Sequence, residues 1–371
     1  MEQEYKKPIA IVTGSAGLIG SQAVKFLHEK DYRIIGIDND MRSYFFGDDA
    51  STKPNNDALI KDYQDYEPNN IDIRNYDELY NLFAHHGEDI QLIIHTAAQP
   101  SHDWAANEPL TDFSVNATGT INLLECTRLN CPSATFIFTS TNKVYGDQPN
   151  NLTLAESDWR YEYLDPGFNP GSVDETMSID QCKHSVFGAS KVAADIMCQE
   201  YARYWDMNIG IFRGGCLTGP DHAGAELHGF LSYLIKCMVS NKPYTIFGYK
   251  GKQVRDNIHS WDLVNMFWEF HKDPRSGEVY NAGGGRGNDT SILEAIYKVN
   301  ELQRTDNLDI WKNFTVSEEA RSGDHQWYIS DLKKFKEHYP SWDITISLDE
   351  IIKQIYDAEK SKIHNRSNSI H

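Results

Sequence analysis

Three glycines spaced three apart, Gly14, Gly17 and Gly20, carry the first chemistry legible in the chain. They follow an apolar run, Ile9-Ala10-Ile11-Val12, that is too short for a helix, and they open a segment with Val24, Phe26 and Leu27 on one face. A second apolar run, Ile34 to Ile37, ends at Asp38. The pattern reads as strand, tight turn, helix, strand. Gly14 permits the turn, Gly17 removes a Cβ where a pyrophosphate would press on the backbone, and Gly20 lets the helix lie close to a sheet. Unpaired N–H groups and the positive dipole end at the helix start then favour an anion. Asp38 can accept both ribose hydroxyls of an adenosine and would repel a 2′-phosphate, which favours NAD over NADP; Arg42, close behind, weakens that preference. The bland alternative is a strand-to-helix turn that needs glycine for packing alone.

The elements that must hold such a site alternate along the first two thirds of the chain. Residues 39–70 show little periodicity and read as a long surface loop. Ile71-Asp72-Ile73-Arg74 looks like the close of a third strand, from which a side chain reaches an adenine edge. A helix is expected over 76–86, and then a strand over 91–95 whose exit, Thr96-Ala97-Ala98-Gln99, is small enough for the backbone to approach a cofactor. Helix 110–130, strand 136–138, a Pro/Asn/Asp/Gly-rich excursion over 147–183, helix 186–205 and strand 208–213 follow. Such alternation implies an α/β fold, a Rossmann-like doubly wound parallel sheet with ligands at its carboxyl edge. Beyond Cys216 the alternation breaks down, with a helix expected near 226–240, and a smaller C-terminal substrate-binding lobe is expected. Residues 1–215 and 252–282 are assigned to the dinucleotide-binding domain, 216–251 and 283–360 to the lobe, and 361–371 to a frayed tail. Trp261, Phe267, Trp268 and Phe270 read as the core side of a helix.

Composition narrows the partners. The 371 residues include 40% hydrophobic ones, enough for a sizeable core, and the formal net charge is −19. That charge argues against nucleic acid or a membrane surface, both of which need a basic face. It leaves room for a phosphorylated small molecule held by local arginines. The six cysteines, 126, 131, 182, 198, 216 and 237, form no CxxC or Cys/His cluster. Free thiols and a cytoplasmic location are therefore expected, with no metal site and no export signal or membrane span.

Further segments follow in a telling order: His95-Thr96-Ala97-Ala98-Gln99, Ser140-Thr141 before Val144-Tyr145-Gly146-Asp147, Gly188-Ala189-Ser190-Lys191, Phe212-Arg213 before Gly219-Pro220, and Arg255-Asp256-Asn257-Ile258-His259. From about residue 8 to 355 the chain resembles the extended short-chain dehydrogenase/reductases that act on nucleotide sugars. Within them, 4,6-dehydratases carry an acidic pair where Asn142 and Lys143 stand here. Thr141-Asn142-Lys143 is similar instead to the CDP-tyvelose (CDP-paratose) 2-epimerases, as are the long excursion with Asp174-Glu175 and the approach through His184-Ser185.

The resemblance implies an NAD site at Gly14, Ala16, Gly17, Leu18, Ile19, Gly20, Asp38, Asn39, Arg42, Asp72, Ile73, Ala97, Ala98, Gln99, Asn116, Ser140, Lys191, Gly214 and Gly215. It implies a nucleotide-diphosphate sugar site at Thr141, Asn142, Cys216, Leu227, Arg255, Arg321 and Asp324. The expected chemistry is epimerisation at sugar C2 by transient oxidation and hydride return. Thr141 would hydrogen-bond the reacting oxygen, and Lys191 would hold the nicotinamide ribose and supply fixed charge, with Lys143 and Asn142 beside them. One position departs from the pattern. The family's catalytic tyrosine, four residues before the lysine, is Phe187, and a phenyl ring accepts no proton. Lys143, His184 and Tyr145 are candidate replacements. The open alternatives are another nucleotide-sugar dehydrogenase or dehydratase and a catalytically silent NAD-binding protein. A homodimer through helices 110–130 and 186–205 is also implied.

Overall fold

A computed structural model describes residues 6–164, 171–222, 224, 229–303, 310–321 and 323–368. Seven strands form the main sheet: β1 (Ile9–Thr13), β2 (Arg33–Ile37), β3 (Tyr66–Asn69), β4 (Ile90–His95), β5 (Thr135–Thr141), β6 (Ile209–Gly214) and β7 (Glu278–Ala282). All neighbours pair in parallel, in the order β7-β6-β5-β4-β1-β2-β3. The order reverses direction at β1, beside β4, which is where an open α/β sheet leaves a crevice at its carboxyl edge.

Alternate residues of each strand face opposite layers, as the pleat requires. Ala10, Val12, Ile34, Ile94, Ile137 and Phe212 pack under helices Leu18–Glu29 and Ser260–Lys272, against Phe26, Phe267 and Phe270. Ile9, Ile11, Ile35, Phe136, Phe138 and Ile211 pack against Leu123, Leu124, Ala194 and Cys198 on the other face. A third core, with Leu234, Ile235, Ile296, Ile351 and Ile352, joins helices Phe230–Val239, Ile292–Gln303 and Leu348–Asn368 in the C-terminal part. No helix among the described residues is long and apolar enough to cross a membrane.

Several boundaries differ from the sequence reading. The stretch after Asp38 is built of helices Met41–Phe46 and Lys53–Asp62 with a short 3₁₀ turn between them. Helix Lys53–Asp62 buries Leu59 alone, so apolar periodicity had nothing to report. The third strand is Tyr66–Asn69, and Ile71-Asp72-Ile73 lie just past its end. Residues 109–130 form a helix broken by one π turn over Ser114–Thr118, where a widened turn pushes the backbone outward. Segment 252–282 is divided. Val254–His259 pairs with Cys216–Thr218, Asp289–Ser291 and Trp327–Tyr328 in a separate small sheet, whereas Glu278–Ala282 returns to the main one. The tail expected to fray from residue 361 is helical through Asn368.

Candidate active site

At the carboxyl edge a cavity of about 850 Å³ runs from the glycine turn to the small sheet. Its first half is made mostly of backbone. Gly14 turns with φ +65°, and a Cβ there would stand 2.9 Å from the Ala97 nitrogen. At Gly20 a Cβ would overlap the Gly14 carbonyl, so the helix can close on the turn only without one. Gly17 is different: a Cβ would meet just the Gly14 oxygen, at 3.3 Å, so its bare backbone faces the cavity. It precedes helix Leu18–Glu29, whose first turn has neither a capping side chain nor an acidic residue. That leaves the N–H groups for an anionic ligand. A dinucleotide pyrophosphate fits this cradle.

Asp38 stands at the end of β2 on the same wall. Its carboxylate accepts the Ala16 N–H at 3.0 Å and the Asp40 N–H at 2.9 Å, and so ties the turn to the strand. Burial pushes its pKa above the ordinary carboxylate value, against the pull of those two backbone donors. Arg42 lies over the Phe46 ring, and burial lowers its pKa to about 10. Leu18, Ile19, Asn39, Asp72, Ile73, Ala97 and Ala98 line the cavity as well.

Three expected cofactor residues are absent from the wall. Gly20 serves the packing of the turn. Gln99 and Asn116 are fully buried behind it and pair with each other: the Gln99 N–H donates to Asn116 Oδ1 at 2.9 Å, and Asn116 Nδ2 donates to the Gln99 carbonyl at 3.0 Å. Asn116 also donates to Ser190 Oγ at 3.1 Å, so this pair braces helix Ser185–Trp205 against the β4 exit.

The middle of the cavity gathers Ser140, Thr141, Asn142, Lys143, Phe187, Lys191, Gly214 and Gly215. Ser140 turns its hydroxyl away, to Asp195 at 2.6 Å. The Lys191 ammonium donates to the Thr139 carbonyl at 2.8 Å and lies 4.3 Å from the Phe138 ring centroid. Burial brings its pKa down to about 8. Thr141 Oγ accepts the Lys143 N–H at 3.2 Å. The Lys143 ammonium donates to the Gly323 carbonyl at 2.9 Å, and burial lowers its pKa to about 8 against the pull of Asp324.

Two other candidates for the missing phenol are engaged elsewhere. His184 Nε2 lies 2.8 Å from the Val144 carbonyl, and Tyr145 is fully buried with its hydroxyl donating to Asn281 Oδ1 at 2.7 Å. Neither lines the cavity. His102 does, and sequence reasoning missed it. Its ring meets the Phe187 ring edge-on, with centroids 4.9 Å apart. The only signal in the sequence was its place just after the small-residue exit of β4.

At the far end stand Cys216, Arg255, Arg321 and Asp324, while Leu227 lies outside the described residues. The Arg255 guanidinium pairs with Asp324, donates to the His325 carbonyl, and reaches the Val254 carbonyl at 2.7 Å. This pairing holds the fork beside the cavity. Arg321 lies over Phe247, 4.4 Å from the ring centroid, and Lys236, Lys242 and Tyr244 share the wall. An acidic protein thus presents several cations at one place.

The chain matches the model of the NAD dependent epimerase/dehydratase family over residues 10–283. It belongs to that family. The family's cofactor is NAD, and the cradle at Gly17 and Asp38 accommodates it. The CDP-paratose 2-epimerase of Salmonella typhi is 30% identical over 361 residues, covering 95% of this chain and 99% of that protein. A dTDP-glucose 4,6-dehydratase of Escherichia coli is 25% identical, over 88% of this chain and 87% of that one. Among solved structures, a tyrosine-to-phenylalanine variant of the UDP-glucuronic acid 4-epimerase of Bacillus cereus, in complex with UDP-4-deoxy-4-fluoro-glucuronic acid and NAD, superposes with a TM-score of 0.76. It is 25% identical and covers 95% of this chain and 99% of that one. The family model thus reaches across the strands of the main sheet and ends before Arg321 and Asp324.

Proposed function

We propose that this protein is an NAD-dependent nucleotide-sugar epimerase that inverts C2 of a hexose carried on a nucleoside diphosphate. The observation that carries the reading is the continuity of one cavity from Gly17 to Arg255, with Thr141-Asn142-Lys143 at its middle and no carboxylate at 142 or 143. A dehydratase must move protons for loss of water, and an amide and an ammonium do not do that work. Likeness to the Salmonella CDP-paratose 2-epimerase along nearly the whole chain supports the same reading.

Bound NAD supplies a reversible hydride acceptor. The chain's own residues set the stage. Thr141, on the cavity wall, would hydrogen-bond the reacting oxygen. Lys191, anchored on Thr139, places a fixed positive charge beside it and lowers the cost of a developing alkoxide. Arg255 and Arg321 hold the diphosphate, for which a planar fork with several N–H donors is suited. Asp324 keeps Arg255 aimed. Oxidation and return on opposite faces of the planar ketose then invert the centre without net redox change.

We place two copies together through the helices Gly119–Asn130 and Ser185–Trp205. Leu129, Ile196, Tyr204 and Trp205 are exposed on them, and such a face is suited to four-helix packing. Leu129→Glu with Tyr204→Glu is expected to give a monomer by sedimentation; an unchanged mass rejects this interface.

The functional test is incubation with CDP-, UDP- and GDP-hexoses in D₂O, followed by NMR. C2 inversion without solvent deuterium is the expected result. Deuterium at the adjacent carbon would replace hydride return with enolisation. Silence across the panel by protein that retains NAD would favour a catalytically silent binding protein, the reading that Phe187 recommends.

A further inference from the structure

Phe187 leaves the site without the phenol that would take a proton, yet a proton acceptor stands directly against it. Helix His102–Asn107 begins at the exit of β4, with Ser101 accepting the Trp104 N–H at 3.3 Å, and so fixes the backbone of His102. The imidazole lines the cavity, edge-on to Phe187. Its Nδ1 lies 2.7 Å from Ser185 Oγ, which also accepts the Gly188 N–H at 3.3 Å. Ser185 has φ +64°, the left-handed region that a residue with a side chain seldom occupies. Strain of this kind persists where surrounding structure enforces it, and here it sits where the hydroxyl meets the ring.

We propose that His102, oriented by Ser185 and facing the cavity beside Phe187, accepts and returns the sugar hydroxyl proton; the proposal rests on the epimerase reading above. With Nδ1–H donating to Ser185 Oγ, Nε2 keeps its lone pair for the cavity. The O–H bond breaks towards Nε2, its electron pair forms the carbonyl, and the hydrogen on the same carbon leaves as hydride. One proton and one hydride depart, and both come back. Ser185 is a positioning residue in this scheme.

The charges around His102 keep the ring neutral while weakening it as a base, and its role stands on geometry. Burial, followed by the cations Lys143 and Arg321, pushes its pKa down to about 3, while Asp324 pulls it up. Among the described residues, His325, Gly323, Phe187 and Ser185 also lie against it. The ring is therefore neutral throughout the physiological range, with a lone pair free but of low basicity. A substrate diphosphate adds negative charge to that balance and raises its basicity. Lys143 is the rival, but its ammonium carries no lone pair until it titrates near pH 8. The two assignments thus predict opposite profiles. A Lys143 base gives a rate that climbs about tenfold per pH unit towards pH 8, and a His102 base gives a flat one between about pH 6 and 7.5.

The test uses the full chain with its NAD and whichever nucleotide hexose the wild type inverts. His102→Gln is expected to lower kcat by about 10²–10⁴ with KM changed less than about threefold and NAD content unaltered. Adding Phe187→Tyr to His102→Gln should restore most of the rate, because a phenol four residues before Lys191 replaces the lost acceptor. Near-normal turnover by His102→Gln overturns the proposal, as does a wild-type profile that climbs to pH 8 and an inactive Lys143→Met. A wild type silent on every hexose sinks the epimerase reading and this one with it. Independent of turnover, histidine ¹⁵N shifts, assigned through His102→Gln, should show the neutral Nδ1–H tautomer at pH 7. The Nε2–H tautomer would overturn the assignment.

Discussion

The two halves of the cavity are built on different principles. The half around the glycine turn is largely a backbone device, with one turn, one helix start and one carboxylate within residues 14–38 and Asp72, Ile73, Ala97 and Ala98 closing the wall. The far half is a side-chain device assembled from residues near 102, 143, 187, 255 and 321, each from a separate element. A backbone device is written in local spacing, because glycine is needed wherever the chain approaches itself. A side-chain device becomes visible when the fold brings its parts together.

The comparison can be broken by substitution, and the largest effect is expected in the backbone half. Gly20→Val should abolish retained NAD, measured by release from denatured protein, because its side chain would occupy the space of the Gly14 carbonyl. Protein that keeps its NAD would show that the turn tolerates a Cβ and remove the contrast. Lys191→Met comes next, with turnover expected to fall about 10²–10⁴ while NAD stays bound. The same variant reports on stability. The fold lowers the pKa of Lys191 to about 8 from 10.5, so the unfolded chain holds more protons in that interval and wild-type stability rises with pH across it. The urea midpoint of Lys191→Met relative to wild type should therefore shrink from pH 8 to 10.5, and a constant difference would contradict the buried charge. Arg255→Met should weaken binding of CDP or UDP by about 10–100-fold, the worth of a charged hydrogen bond, and leave NAD content unchanged. Calorimetry showing equal affinity would remove Arg255 from the diphosphate site.

What the sequence revealed follows the same division. The parallel sheet and the glycine turn were legible in local spacing, and Asp38, Phe187 and Lys191 stand on the wall of one cavity. Gln99 and Asn116 stand behind the cavity wall, where the Asn116 side chain bonds the Gln99 backbone and the Gln99 amide reaches the Ser101 carbonyl and Asp112, meetings that no local pattern records. His102 was missed because its partner Ser185 lies 83 positions away, and no local pattern records such a meeting. Helices Met41–Phe46 and Lys53–Asp62 escaped notice because each buries one large apolar side chain, Phe45 or Leu59.

The final helix has a consequence for how the molecule comes into being. Its residues Glu359, Lys362 and Ile363 border the same cavity as Gly14 and Gly17, so the first turn of the chain and its last helix enclose one space. A ribosome has released every strand of the main sheet once residue 282 is clear, yet the enclosure still lacks a side until some eighty residues later. The newborn chain can have its scaffold before it can grip its ligand.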